Sequence, residues 1–149
     1  MKNPPALVSA LSGLLWGILG ALLTYRSAGP HSVYAAIAGP GIGLAIYFLS
    51  RWMYSRGKLS LVLWTVVSTY IAVALFGLAL GVADAFRPIE RTTWGVIVQS
   101  VLACVWGLTF LPAFWLLFPL SGGNHLLIRW LERRRRAADA GTRAEAGSG

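Results

Sequence analysis

The sequence has few charged side chains. Only 12% of its 149 residues are Asp, Glu, Lys or Arg, whereas 56% are hydrophobic. Because soluble domains carry about 25% charged residues, this composition excludes an ordinary soluble domain and indicates an integral membrane protein. Four spans of about 20 residues each would use most of the chain, which leaves no room for a separate soluble domain.

Cysteine and acidic residues are also scarce. The single cysteine, Cys104, cannot form an intrachain disulfide. Five acidic residues stand against thirteen Lys and Arg. These cations lie at the ends of apolar runs, where the positive-inside rule and anionic headgroups place them. Nucleic-acid binding needs a basic surface of its own, so we expect no nucleic-acid partner.

Four apolar runs contain no Asp, Glu, Lys, Arg or His. They cover residues 6–25, 32–50, 59–83 and 94–120. Each is long enough to cross about 30 Å of hydrocarbon at 1.5 Å per residue, so we predict an all-α, polytopic membrane protein with four transmembrane helices. The first run ends in Thr24-Tyr25-Arg26, without a small-residue cleavage site, and is predicted to remain as a span. Proton-coupled transport uses intramembrane ionisable groups, and their absence disfavours that activity.

Glycine and proline residues indicate where the predicted spans turn or bend. The segment Ser27-Ala28-Gly29-Pro30 predicts a tight turn between the first two spans. Pro40, between Gly39 and Gly41, predicts a kink in the second span, because proline removes a backbone donor. Pro112 is expected to bend the fourth span.

The segment after the fourth run has a different character. Ser121-Gly122-Gly123 is predicted to end that run, and Asn124 is a suitable N-cap. Apolar residues then recur at helical spacing: Leu126, Leu127, Trp130 and Leu131. We predict a short, basic, amphipathic helix over residues 125–136 that lies in the membrane interface. Residues 1–136 then form one domain, and residues 137–149 a polar tail whose composition predicts disorder.

The arginines of this segment are predicted to bind anionic headgroups or an acidic partner. They are Arg129, Arg133, Arg134, Arg135 and Arg136.

Lys and Arg are distributed unequally across the predicted four-span bundle. Ten fall on one side: Lys2, Arg51, Arg56, Lys58, Arg129, Arg133, Arg134, Arg135, Arg136 and Arg143. The other side has Arg26, Arg87 and Arg91. The positive-inside rule therefore predicts that both termini are cytoplasmic, in a bacterial-type inner membrane.

Small residues recur at four-residue spacing in every predicted span, a pattern that lets helices approach closely in lipid. The glycines assigned to helix packing are Gly13, Gly17, Gly39, Gly43, Gly77, Gly81 and Gly107, with Ala35 and Ala103 in the same patterns. The spacing does not say whether the neighbouring helix belongs to this chain or to another.

Polar and aromatic residues within the spans allow two interpretations each. Thr65, Ser68 and Thr69 could line a path for a small solute, or they could bond between helices at about 0.6 kcal/mol each. Trp16 and Trp106 could contact a quinone, carotenoid or other pigment, or they could pack against protein.

The remaining ionisable candidates point to no catalytic centre. Asp84 either forms an outer cation site or pairs with Arg87 one turn away. His31 and His125 fall at opposite membrane interfaces and make no shared metal site. No catalytic triad, paired carboxylates or phosphate loop is evident, so no enzyme activity and no cofactor are expected, apart from contact with a bound lipid, quinone or pigment.

We expect a non-catalytic accessory or assembly subunit that packs against other membrane subunits, as in respiratory or photosynthetic complexes. The alternative is a small channel or facilitator that works as a homo-oligomer. A third interpretation is a surface recruiter that presents its C-terminal arginines to a cytoplasmic partner.

Overall fold

A computed structural model describes residues 4–86, 93–110 and 115–146 of the chain. All regular structure in these residues is helical, which confirms the all-α prediction for this part of the molecule. The predictions that involve Lys2, Arg87, Arg91 and Pro112 lie outside the described residues.

Three helices are long and apolar enough to cross a bilayer. They are α1 (Pro4–Ala28), α2 (Val33–Ser50) and α3 (Lys58–Ala85). Helix α4 (Thr93–Phe110) is also apolar but shorter. The described chain therefore has the helices of a multi-pass membrane protein, and most long apolar side chains on them face outward, as Leu15 and Leu22 do at 68% and 70% exposure.

The predicted span at residues 94–120 is described in two parts. Helix α4 is described through Phe110, and the last helix, α5 (Leu117–Ala146), begins within the same run.

The first two helices meet at the predicted turn, although α1 continues through Ala28. A 3-10 turn over Gly29–Ser32 follows, in which Gly29 has a φ of +58°. Glycine suits this left-handed conformation because it has no Cβ. The Ser32 hydroxyl donates to the Gly29 carbonyl at 2.8 Å and closes the turn. Helix α2 then runs through Pro40 as one helix.

Two hairpins and a long final helix make up the architecture. Helix α1 packs on α2, α3 packs on α4, and α2 joins the hairpins by contact with α3. Helix α5 lies against α3 and α1. A short 3-10 turn, Met53–Ser55, connects α2 to α3, and a small core cluster forms where these elements meet, consisting of Tyr47, Tyr54, Leu61 and Ile128.

Helix α5 differs most from the sequence prediction. It has 30 residues rather than about a dozen, and Asn124 lies well inside it, so Asn124 is not its N-cap. Gly122 and Gly123 lie inside this helix. Glycine in a helix interior costs roughly 1 kcal/mol relative to alanine, but the helix continues through both residues. The segment from residue 137, predicted to be disordered, is helical through Ala146. Its alanines are the best helix formers.

Candidate functional site

Beyond its first residue, helix α5 contacts the bundle mainly through a polar stripe. The residues buried on α5 are Leu117, His125, Ile128, Arg129 and Glu132, and the last four follow one another at helical spacing. The leucine and tryptophan side predicted to be buried in the interface faces away from the bundle, with Leu126 at 59% and Trp130 at 47% exposure. Lipid can accept this apolar side, whereas the polar stripe needs hydrogen-bond partners inside the protein.

His125 is buried between α5, α3 and the Met53–Ser55 turn. Its Nδ1 lies 3.0 Å from the Tyr54 hydroxyl, and its Nε2 lies 2.8 Å from the Ser68 hydroxyl. Ser68 also donates to the Thr65 carbonyl at 3.1 Å. Because serine has one proton, Ser68 accepts from Nε2–H, and Tyr54 then donates to Nδ1.

Burial favours the neutral states that this assignment requires. Burial lowers the pKa of His125 to about 4, so the imidazole is neutral at pH 7. Burial also raises the pKa of Tyr54 above its usual range, which keeps its hydroxyl protonated and able to donate. The three side chains form a neutral, fully hydrogen-bonded connection between α5, α3 and the Met53–Ser55 turn.

Glu132 brings an acidic side chain into contact with a predicted span. The Tyr47 hydroxyl on α2 donates to its Oε1. The other oxygen, Oε2, lies 3.7 Å from Arg135 Nη2 and 3.8 Å from Arg136 Nε. This carboxylate, only 2% exposed, is therefore satisfied from both sides. Two of the five arginines assigned to the membrane surface are engaged within the protein.

The other three arginines have different surroundings. Arg129 is buried, and its Nη2 donates to the Arg56 carbonyl at 2.5 Å. Arg134 lies over the Trp130 ring, with its Cζ 3.8 Å from the centroid. Arg133 is exposed, and no described acidic side chain pairs with it.

The predicted polar face of α3 is buried. Thr65 and Thr69 each donate to a carbonyl of their own helix, at 2.9 and 2.7 Å, and Ser68 reaches His125. A cavity of about 120 Å³ lies beside this face, between α1, α2, α3 and α5. Its polar lining includes Ser12, Ser121 and Asn124, none of which has a hydrogen-bond partner among the described residues. Trp16 also lines this cavity.

Six of the seven packing glycines lie at contacts within this chain. A Cβ added to Gly13 or Gly17 would meet backbone of α2 at less than 3 Å, and one added to Gly39 or Gly43 would meet backbone of α1. On α3, a Cβ at Gly77 would lie 2.8 Å from the Ser100 carbonyl oxygen. Gly81 has a similar position, 2.7 Å from Ile97 Cα.

The small residues of α4 have different surroundings from the packing glycines of α1, α2 and α3. Gly107 is half-buried, but Ala103 is exposed. Helix α4 turns Ile97, Ser100 and Val101 toward the glycines of α3, and residues on its opposite side are exposed in the described part of the chain. The exposed residues of that side, which we call the α4 outer face, are Val98, Gln99, Leu102, Ala103, Trp106 and Thr109. The Gln99 amide has no hydrogen-bond partner among the described residues.

The described side chains that could bind a metal ion are not clustered. In the described part of the chain, no group of three or more His, Cys, Asp or Glu could hold a metal ion. The side chain of His31 and the predicted partner of Asp84 fall outside that part.

Sequence reasoning overlooked the buried set formed by Tyr47, Tyr54, His125 and Glu132. The available signal was the spacing of His125, Arg129 and Glu132 along one side of the last helix. No protein-family model, curated protein or solved structure matches this chain.

Proposed function

We propose that this protein is a non-catalytic accessory subunit that binds another membrane protein through the α4 outer face. The observation that carries the proposal is Gln99, an amide exposed on an apolar helix with no described partner. A polar side chain in hydrocarbon is costly unless it bonds, and amides and small residues promote helix association in membranes. Ala103 lies one turn from Gln99 on the same side.

The rest of the chain supports a structural role. The glycine contacts of α1, α2 and α3 are used within the chain, so the α4 outer face remains for a partner. Both ring nitrogens of His125 are hydrogen-bonded to side chains of this chain, which suits a structural role. In this proposal all four apolar helices cross a bacterial-type inner membrane, with both termini in the cytoplasm. The charge distribution supports that orientation.

Photocrosslinking in native membranes tests this proposal. A photoreactive amino acid at Leu102 should give an adduct with one other membrane protein, whereas the same amino acid at Leu15, exposed on α1, should not. Gln99→Leu should reduce co-purification of that protein in a native gel, with the bundle intact. Val98→Leu is the matched control on the same face. Adducts with a second copy of this chain alone, or none, would contradict the accessory role.

A second candidate, a homo-oligomeric facilitator for a small neutral solute, is favoured by the cavity beside Ser68 and Thr69. The Gly41 site gives it no support, because nothing lies within 4 Å of a Cβ built there. If the cavity conducts, Ala72→Phe, which enlarges a lining residue, should abolish glycerol flux in liposomes. Leu63→Phe, on the exposed side of α3, should leave flux unchanged. Wild-type protein without flux would exclude this candidate.

A further inference from the structure

A groove between α3 and α5 contains two arginines and no acid among its described residues. It has a volume of about 460 Å³, and it is lined by Leu61, Val62, Thr65, Gly122, Leu126, Arg129, Trp130 and Arg133. The groove is apolar toward Val62 and Leu126 and cationic at Arg129 and Arg133. Apolar walls that end in cations match the two parts of a phospholipid, an acyl chain and an anionic headgroup.

Arg129 is the least compensated charge in the groove. It is 8% exposed, yet no described carboxylate pairs with it. One hydrogen bond, to the Arg56 carbonyl, satisfies Nη2, but its Nε is buried without a hydrogen-bond partner among the described residues. A buried charge is costly unless an opposite charge accompanies it. The described residues supply no counter-charge to Arg129, and this points to an anion bound in the groove.

The other arginines of α5 are less suited to that anion. Arg135 and Arg136 lie at Glu132, and Arg134 lies over Trp130. Arg133 lines the groove one turn from Arg129 and has no described acidic partner. We propose that this groove binds one anionic phospholipid, whose phosphate is held by Arg129 and Arg133 and whose acyl chain lies along Val62 and Leu126.

Two pairs of neighbouring residues provide matched tests. Arg133 and Arg134 are adjacent and lose the same charge on substitution by Gln, but Arg133 lines the groove and Arg134 stacks on Trp130. Gly122 and Gly123 are adjacent as well. A Cβ at Gly122 would contact the Thr65 methyl at 3.6 Å, whereas nothing lies within 4 Å of one at Gly123. A side chain added at position 122 therefore starts at the wall of the groove, which Gly122 lines, whereas Gly123 is not among the lining residues.

The experiment is a lipid titration of the full-length, delipidated chain in neutral detergent, followed by native mass spectrometry. Phosphatidylglycerol should bind once per chain and more tightly than phosphatidylcholine with the same acyl chains. Arg133→Gln should weaken phosphatidylglycerol binding about fivefold, as expected for one arginine near a headgroup. Gly122→Leu should also weaken it. Arg134→Gln and Gly123→Leu should leave binding unchanged.

Three results would overturn this proposal. Equal losses for Arg133→Gln and Arg134→Gln would show diffuse attraction by the basic helix. Equal binding of the two lipids would show that the headgroup charge is not recognised. Displacement of the lipid by millimolar inorganic phosphate would show a site for free phosphate rather than for a phospholipid.

Discussion

Single residues hold the last helix in place. His125 and Glu132, two turns apart on α5, reach hydroxyl groups on three other elements: Tyr54 in the connecting turn, Ser68 on α3 and Tyr47 on α2. Each of these hydrogen bonds joins residues at least 57 positions apart. In an apolar surrounding such bonds give specificity, because any other docking position leaves polar atoms unsatisfied.

His125 should make stability depend on pH. Its pKa of about 4 in the folded protein lies below its ordinary value of 6.5, so the unfolded chain binds the proton more readily. The stabilisation is fully present above pH 6.5 and is lost as the pH falls toward 4, to a total of about 3 kcal/mol. Unfolding titrations in detergent between pH 4 and 7 should show this slope.

Substitution of His125 can show whether this residue causes the pH dependence of stability. His125→Gln should remove it, because glutamine does not titrate in this range, and His31→Gln is the companion variant for the other histidine. Parallel pH profiles for the wild type and His125→Gln would exclude this origin of the dependence.

At the scale of elements, the glycine contacts determine how closely the hairpins pack. Gly39 and Gly41 flank Pro40 on the same helix but have opposite surroundings. A Cβ at Gly39 would lie 2.9 Å from the Gly13 carbonyl carbon, whereas a Cβ at Gly41 meets nothing within 4 Å. The two positions therefore separate the effect of overpacking from the effect of any change beside the proline.

Gly39→Leu should force α1 and α2 apart and destabilise the protein by about 1–3 kcal/mol or more, because backbone cannot yield as a flexible side chain does. Gly41→Leu should change stability by less than about 0.5 kcal/mol, as for an ordinary surface substitution. Thermal unfolding in detergent micelles measures both. Similar losses at the two positions would contradict the contact between α1 and α2.

Hydropathy predicted the existence of the apolar helices well, since residues 6–25, 32–50 and 59–83 all lie within α1, α2 and α3, apart from Ser32 in the preceding turn. The extent of α5 was not predictable in the same way. Its pattern correctly indicates an amphipathic helix, but in a membrane the apolar side can face lipid while the polar side faces protein. Only the hydroxyls of Tyr47, Tyr54 and Ser68, distant in sequence, decide which side is buried.

At the scale of the whole molecule, the charge distribution predicts which side of the membrane each connection occupies. Single cysteines in a Cys104→Ser background test it with a membrane-impermeant maleimide. Pro30→Cys should be labelled from outside intact cells, whereas Gly57→Cys and Ala137→Cys should react only after lysis. The labelling of Ala137→Cys by the maleimide decides whether α4 crosses the bilayer. Outside labelling at residue 57 would invert the orientation.

The long separation between Tyr47 and Glu132, 85 residues, also has a consequence for biosynthesis. Chains emerge from the ribosome N-terminus first, so α2 and α3 enter the membrane well before their α5 partners have been translated. Until then Tyr47 lacks the acceptor, and Ser68 lacks the donor, that each has in the finished protein. The two hairpins can form early, but the polar interior is completed only when α5 arrives, and a chain that stalls before residue 125 would display those hydroxyls to the quality-control machinery of the membrane.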